Sequence, residues 1–202
     1  YIQPAILALR KVVRPVVKGM QEDPMGGYSP AALAGPLATM INLPRGTVLK
    51  HGGAKVLETV DPARLNRRGL FGHALYTTED AGLAKQFAKS GAMAERGGGA
   101  GHVTDFRVAR DVPEVWDATN FAASDIDRLA PHVPAESVAK ARAAATAGRL
   151  DEAGDLMREA VSTEAAFNPS FYESAGLGGI KFPYRGTEAV ALPPETLHRG
   201  LV

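Results

Sequence analysis

Cysteine is absent from the 202 residues. Disulfide staples, thiolate nucleophiles and Cys-rich zinc sites are therefore excluded. The absence fits a reducing compartment, and it equally fits a protein that must cross oxidising space without trapping itself. No apolar run approaches the roughly 18 residues of a membrane-spanning helix. Charge of either sign is not in excess: 23 Lys and Arg oppose 22 Asp and Glu, for a net +1. A wide electrostatic grip on duplex nucleic acid or an acidic membrane surface is therefore not indicated, although a local basic groove stays open. No Gly-x-Ser-x-Gly elbow and no His-Glu-x-x-His is present, which leaves serine hydrolase and zincin chemistry without support. Gly97-Gly98-Gly99-Ala100-Gly101 has no following Lys-Ser/Thr and opens no helix, so it reads as a flexible loop rather than a phosphate cradle. His73, His102, His132 and His198 show no ligand spacing, and no metal site is expected. The chain starts at Tyr1 with no signal-peptide pattern, and reads as a trimmed form or the C-terminal piece of something longer.

What is present is ordinary globular material, 45% hydrophobic and 22% charged. It suffices for one sizeable domain, or one domain with a short helical arm. Ile6, Leu9, Val13, Val16, Val17 and Met20 recur at helical spacing over 4–20, with Pro15 forcing a kink. Ser29-Pro30 opens a helix over 30–42, and Leu43-Pro44-Arg45-Gly46 breaks it. This divides the chain into an arm or linker, 1–43, and a domain, 44–202. Within the domain, Thr47–His51 is a strand closed by Gly52-Gly53. A turn of helix follows Asp61-Pro62, and Leu75–Thr78 is a second strand. An apolar helix then runs to about 90, with Leu83, Ala84, Phe87 and Ala88 on one side. His102–Val108 and Val115–Asp117 are β-prone, 122–166 reads as two or three helices, and 180–182, 188–192 and 197–202 are strands. Short strands at irregular spacing with helices between them predict α+β with small sheets, not a doubly wound parallel sheet.

Three segments carry chemistry together. Leu49-Lys50-His51-Gly52-Gly53 resembles the ADP-ribosyltransferase strand that ends in His-Gly-Thr. Gly72-His73-Ala74-Leu75-Tyr76-Thr77-Thr78 resembles that family's Gly-x-Gly-Ile-Tyr or Gly-Phe-Tyr-Ser-Thr strand. Phe87, eleven residues after Tyr76, stands where members with a His-Tyr-Glu triad carry a second aromatic. Thr187-Glu188-Ala189-Val190-Ala191-Leu192-Pro193 resembles the closing strand with the family's glutamate. Singly, each of these residues is what a strand end or an apolar helix face holds for structural reasons. Their order, their spacing and the glycine beside His51 carry the resemblance, which covers about 44–202.

The resemblance implies two small packed sheets around an NAD cleft with covering helices. It also implies NAD as substrate, and transfer of ADP-ribose to a macromolecule with release of nicotinamide. The family's habits in bacteria suggest a toxin or a phage or secretion effector, acting in the cytoplasm of a producing or target cell. Breaking the nicotinamide–ribose bond builds positive charge on the ribose, as in glycoside hydrolysis. Glu188 would stabilise that charge. His51 would hold the adenosine-side ribose, and Tyr76 and Phe87 would sandwich the nicotinamide. Gly52 would let the ligand reach the backbone, with Thr77 beside it. The chain departs from the family at Gly53, His73 and Phe87. Position 186 is Gly rather than Glu, and Lys50-His51 stands where arginine-modifying relatives have Arg. An arginine acceptor is thereby disfavoured, leaving another side chain, a nucleic acid or water. Water would make the protein an NAD glycohydrolase, and loss of chemistry would leave a structural or binding module.

Overall fold

A computed structural model describes residues 39–58, 60, 61, 65, 69–94, 101–194 and 196. The helix read over 4–20 and the strand at 197–202 lie outside the described residues. So do most of the helices read over 30–42 and 61–68, and 97–100 of the glycine loop. The described residues belong to a unit that starts at Ala34, ahead of the boundary expected at 44. The reading of 30–42 as one helix is corrected at its end, because Met40–Leu43 is a strand, β1. Met40 and Ile41 pair antiparallel with Trp116 and Val115. Three apolar side chains in four residues satisfy either period, and the available sheet edge decided between them. Asp125, buried in the following helical layer, fastens this entry. Its Oδ1 accepts the Thr39 N–H at 2.8 Å and its Oδ2 the Thr39 hydroxyl at 2.7 Å.

The order continues as β2 Val48–Gly53, β3 Leu75–Thr77, α1 Ala81–Ala94, β4 His102–Arg107 and β5 Val112–Asp117. Helices α2 Ala123–Leu129, α3 Ala135–Thr146, α4 Leu150–Phe167 and α5 Phe171–Ser174 follow, and strands β6 Gly179–Tyr184 and β7 Thr187–Leu192 complete the described set. Asp80 starts α1 by accepting the Leu83 N–H at 2.6 Å, an N-cap bond. One sheet has the order β1-β5-β6-β7-β3 and the other is the β2-β4 pair, so the protein is α+β with two small sheets. A bridge between Lys50 and Thr78 links the β2 ladder to the end of β3. Leu49, Leu75, Phe106, Val115, Val190 and Leu192 form one buried core. A larger core, with Trp116, Met157, Phe171, Ile180 and Phe182, packs the other face of the five-stranded sheet against the helices.

The turn between β6 and β7 is Arg185-Gly186, with φ of 51° and 83°. Two positive φ values in a two-residue loop make a type I′ turn, which matches strand twist but suits Asn or Gly at its first position. Arg185 therefore carries left-handed strain, on the order of 1 kcal/mol. Arg185→Asn is expected to raise unfolding stability by about 0.5–1 kcal/mol. Thermal melts that show a lower midpoint would mean that Arg185's contacts with the Tyr184 ring and Gln86 outweigh the strain.

Candidate functional site

The strands that bear the three motifs lie side by side. β7, with Glu188, pairs antiparallel with β3, with Tyr76 opposite Ala191 and Thr77 opposite Val190. The far end of β3 meets β2 through two backbone bonds, Lys50 N–H to the Thr78 carbonyl at 2.7 Å and the return bond at 3.0 Å. His51 sits one residue beyond this bridge, and its Nδ1 donates to the Tyr76 carbonyl at 2.8 Å. A carbonyl can only accept, so Nδ1 carries the hydrogen and Nε2 keeps its lone pair. On the other side of β3, the Thr78 hydroxyl donates to the Glu188 carbonyl at 2.6 Å. The Tyr76 strand is thus tied to both the His51 strand and the Glu188 strand.

The sheet separates the side chains differently. Side chains alternate along a strand. Val190 and Leu192 face one core and Ala189 and Ala191 the other, which assigns Glu188 to the first face. Leu49 belongs to that same core, so His51 points to the same side. Tyr76, opposite Ala191, packs against the core under the helices. His51 and Glu188 therefore share a face, and the Tyr76 ring lies on the other. The Tyr76 hydroxyl accepts the Phe71 N–H at 2.7 Å and donates to the Gly72 carbonyl at 3.1 Å. A Cβ on Gly69 would stand 2.3 Å from that hydroxyl, so the 69–72 turn covers the ring.

The remaining expected site residues also take structural positions. Phe87 meets Tyr184 rather than Tyr76, with ring centroids 5.2 Å apart and planes 40° from parallel. Two stacking contacts need a gap of about 7 Å, so this pair is closed. Gly52 is filled from behind, since a Cβ there would lie 1.9 Å from the Ala84 carbonyl oxygen and 2.8 Å from the Phe87 Cβ. Its lack of a side chain serves the packing of α1 on β2. Thr77 is fully buried and donates its hydroxyl to the Val190 carbonyl at 3.2 Å.

Sequence reasoning missed Tyr184, Lys181 and Asp117 as members of the site. Tyr184 continues the alternation of Ile180 and Phe182, but Pro183 masks it. Proline is tolerated there because the β5 pairing ends at Lys181, leaving β6 with β7 as its one strand partner at that level among the described residues. Lys181 Nζ lies 2.9 Å from Glu188 Oε2 and 3.7 Å from Asp117 Oδ2. Asp117 is buried and also accepts the Thr119 N–H at 3.0 Å and the Asn120 side-chain amide at 2.8 Å. Parallel register brings Asp117 opposite Lys181, which no local motif encodes. A groove of about 430 Å³ opens nearby, lined by Thr119, Asn120, Phe121, Gly154, Arg158 and Pro183. Pro183 is the strand partner of Glu188.

Burial lowers the His51 imidazole below the ordinary histidine range, opposed in part by its bond to the Tyr76 carbonyl. Burial raises the Tyr76 phenol well above the usual range, outweighing the Phe71 N–H that it accepts. Tyr76 therefore stays a hydrogen-bond donor at neutral pH. Burial would lower the Lys181 ammonium, but its bond to Glu188 and the charge of Asp117 outweigh that and hold it above the ordinary lysine range. For His51 the unfolded chain binds its proton at higher pH than the folded one, so stability rises with pH between the two values. The contribution of neutral His51 is complete above pH ~6.5 and is lost as pH falls toward the folded value. His51→Gln is expected to flatten the dependence of unfolding free energy on pH between about 7.5 and 5.5. Urea titrations at several pH values test this, and equal slopes for both proteins would refute it.

Among the described residues no helix is long and apolar enough to cross a membrane. No protein-family model, curated protein or solved structure matches this chain.

Proposed function

We propose that the domain binds NAD at the mouth between its two sheets. It would cleave the nicotinamide–ribose bond there and transfer ADP-ribose to a macromolecular acceptor. One observation carries the reading: the three motif strands are neighbours, with His51 and Glu188 on one face and separated by a single strand. Two strand spacings and the two-residue offset of Glu188 from the His51 row place their backbones about 12 Å apart, within the reach of one dinucleotide. In this reading the half-exposed Glu188 carboxylate stabilises the positive charge that grows on the ribose. The electron pair of the broken bond leaves with nicotinamide, and the acceptor's lone pair closes on the same carbon. His51 positions the dinucleotide through Nε2. The acceptor would approach by the groove that Pro183, the strand partner of Glu188, helps to line. Gly186, at the position where arginine-modifying relatives carry a second glutamate, disfavours an arginine acceptor.

Incubating the protein with labelled NAD and a cell lysate tests the proposal. Label on protein or nucleic acid supports transfer, and nicotinamide release without labelled acceptor reassigns the protein as a glycohydrolase. A second reading, a structural or binding module without chemistry, is favoured by three packing facts: the covered Tyr76 ring, the closed Phe87–Tyr184 pair and the helix behind Gly52. Isothermal titration with NAD separates it, because such a module gives no heat of binding.

A further inference from the structure

Resting on the NAD reading above, we propose that Lys181 is the positioning residue for Glu188, with Asp117 as its counter-charge. Three adjacent strands supply the row. Asp117 on β5 stands opposite Lys181 on β6, and Lys181 reaches diagonally to Glu188 on β7. A lone lysine 2.9 Å from Glu188 would cancel the negative charge that the reaction needs. Asp117 answers that objection: it shares the ammonium, at 3.7 Å, so two carboxylates and one ammonium leave the row with one net negative charge. Asp117 is itself held from behind by the Thr119 N–H and the Asn120 amide, so its carboxylate cannot swing out to follow Lys181. Lys181 is mostly covered, with 23% of its side chain exposed against 46% for Glu188. The fixed member is thus inside and the held member at the mouth. That is the order expected of a support that aims a carboxylate, since a freely rotating glutamate at a strand start samples several rotamers of similar energy.

The row also separates two kinds of damage. Losing Lys181 leaves the Glu188 charge in place but its direction free. Turnover then falls while binding of the dinucleotide, made largely elsewhere, persists.

The test compares wild type, Lys181→Met and Lys181→Arg for NAD turnover and for NAD affinity by isothermal titration, with thermal melts of each. Lys181→Met is expected to lower kcat about ten-fold, the loss of one charge-assisted hydrogen bond, with Kd for NAD unchanged within about two-fold. Lys181→Arg, which keeps charge and reach, is expected to recover most of the rate. An equal or higher kcat in a folded Lys181→Met overturns the proposal, and a higher one makes Lys181 an inhibitory counter-ion. If Lys181→Met does not fold, a rate in Lys181→Arg as low as that of Glu188→Gln overturns it instead. Wild type without NAD binding or turnover removes the underlying reading. Wild-type turnover that is indifferent to Lys181 removes the positioning role alone.

Discussion

Glu188→Gln is expected to reduce nicotinamide release from NAD by about 10²–10³-fold, the usual loss when one preorganised electrostatic group is removed from a reacting centre. Glutamine keeps the size and a hydrogen-bonding oxygen and deletes the charge. An oxocarbenium-like state responds to charge, whereas ground-state binding responds to shape and hydrogen bonding, so the loss should fall on kcat and spare affinity. The substitution should leave the fold intact. Glu188 is half exposed, its carbonyl already receives the Thr78 hydroxyl, and its ion pair with Lys181 is solvent-accessible on one side. Such a pair contributes about 1 kcal/mol or less. Nicotinamide release measured by chromatography, beside a urea melt, distinguishes the outcomes. A variant that unfolds easily would show that Glu188 is structural, and one that turns over NAD at the wild-type rate would end the catalytic assignment.

Gly52→Ala is expected to destabilise the domain by about 3 kcal/mol, the upper end of the usual cost of overpacking. The added methyl would meet the Ala84 carbonyl oxygen at 1.9 Å and the Ala88 nitrogen at 2.5 Å. Both are backbone atoms of α1, so no rotamer change relieves the clash, and the helix must lift from β2 as a body. Gly91 on the same helix lies close to Gly53 and Ala54, where a Cβ would approach the Ala54 nitrogen at 3.1 Å. The helix thus rests on this strand through two glycine-bearing contacts, and a lift at one disturbs the other. Denaturant unfolding measures the effect directly. A stable Gly52→Ala with weakened NAD binding would instead support the ligand-facing role that the sequence suggests. The prediction therefore decides why this position is glycine.

The contrast at Gly52 shows how far local pattern carries. A glycine after a strand-end histidine is legible in sequence, but the object that approaches its backbone is not. A ligand and a helix both exclude a Cβ, and only the packing of α1 discloses the helix. The same holds for Tyr76 and Phe87. Each is correctly read as an aromatic on its element, but two aromatics eleven residues apart meet only if strand parity and helix rotation agree. Here the 69–72 turn claims Tyr76, and Tyr184 claims Phe87. The end of the helix read over 30–42 is a related case. Met40-Ile41-Asn42-Leu43 carries no period long enough to choose helix or strand, and the pairing with β5 made the choice.

The three motif strands had been placed by their own residues. β-prone runs at 47–51, 75–78 and 188–192 and the apolar helix through Phe87 follow from local propensity and period, and all four occur as elements near those positions. The small-sheet α+β class follows from the same signals, because short strands at irregular intervals cannot build a doubly wound sheet. Tertiary structure alone decided which strands became neighbours and which face each side chain took. Pairing of β3 with β7, over a hundred residues apart, and the parallel register that sets Asp117 against Lys181 depend on long-range burial of two separate cores. That burial is a property of the assembled sheet. A register slip of one residue would leave every local propensity unchanged, yet it would move Glu188 to the other face from His51.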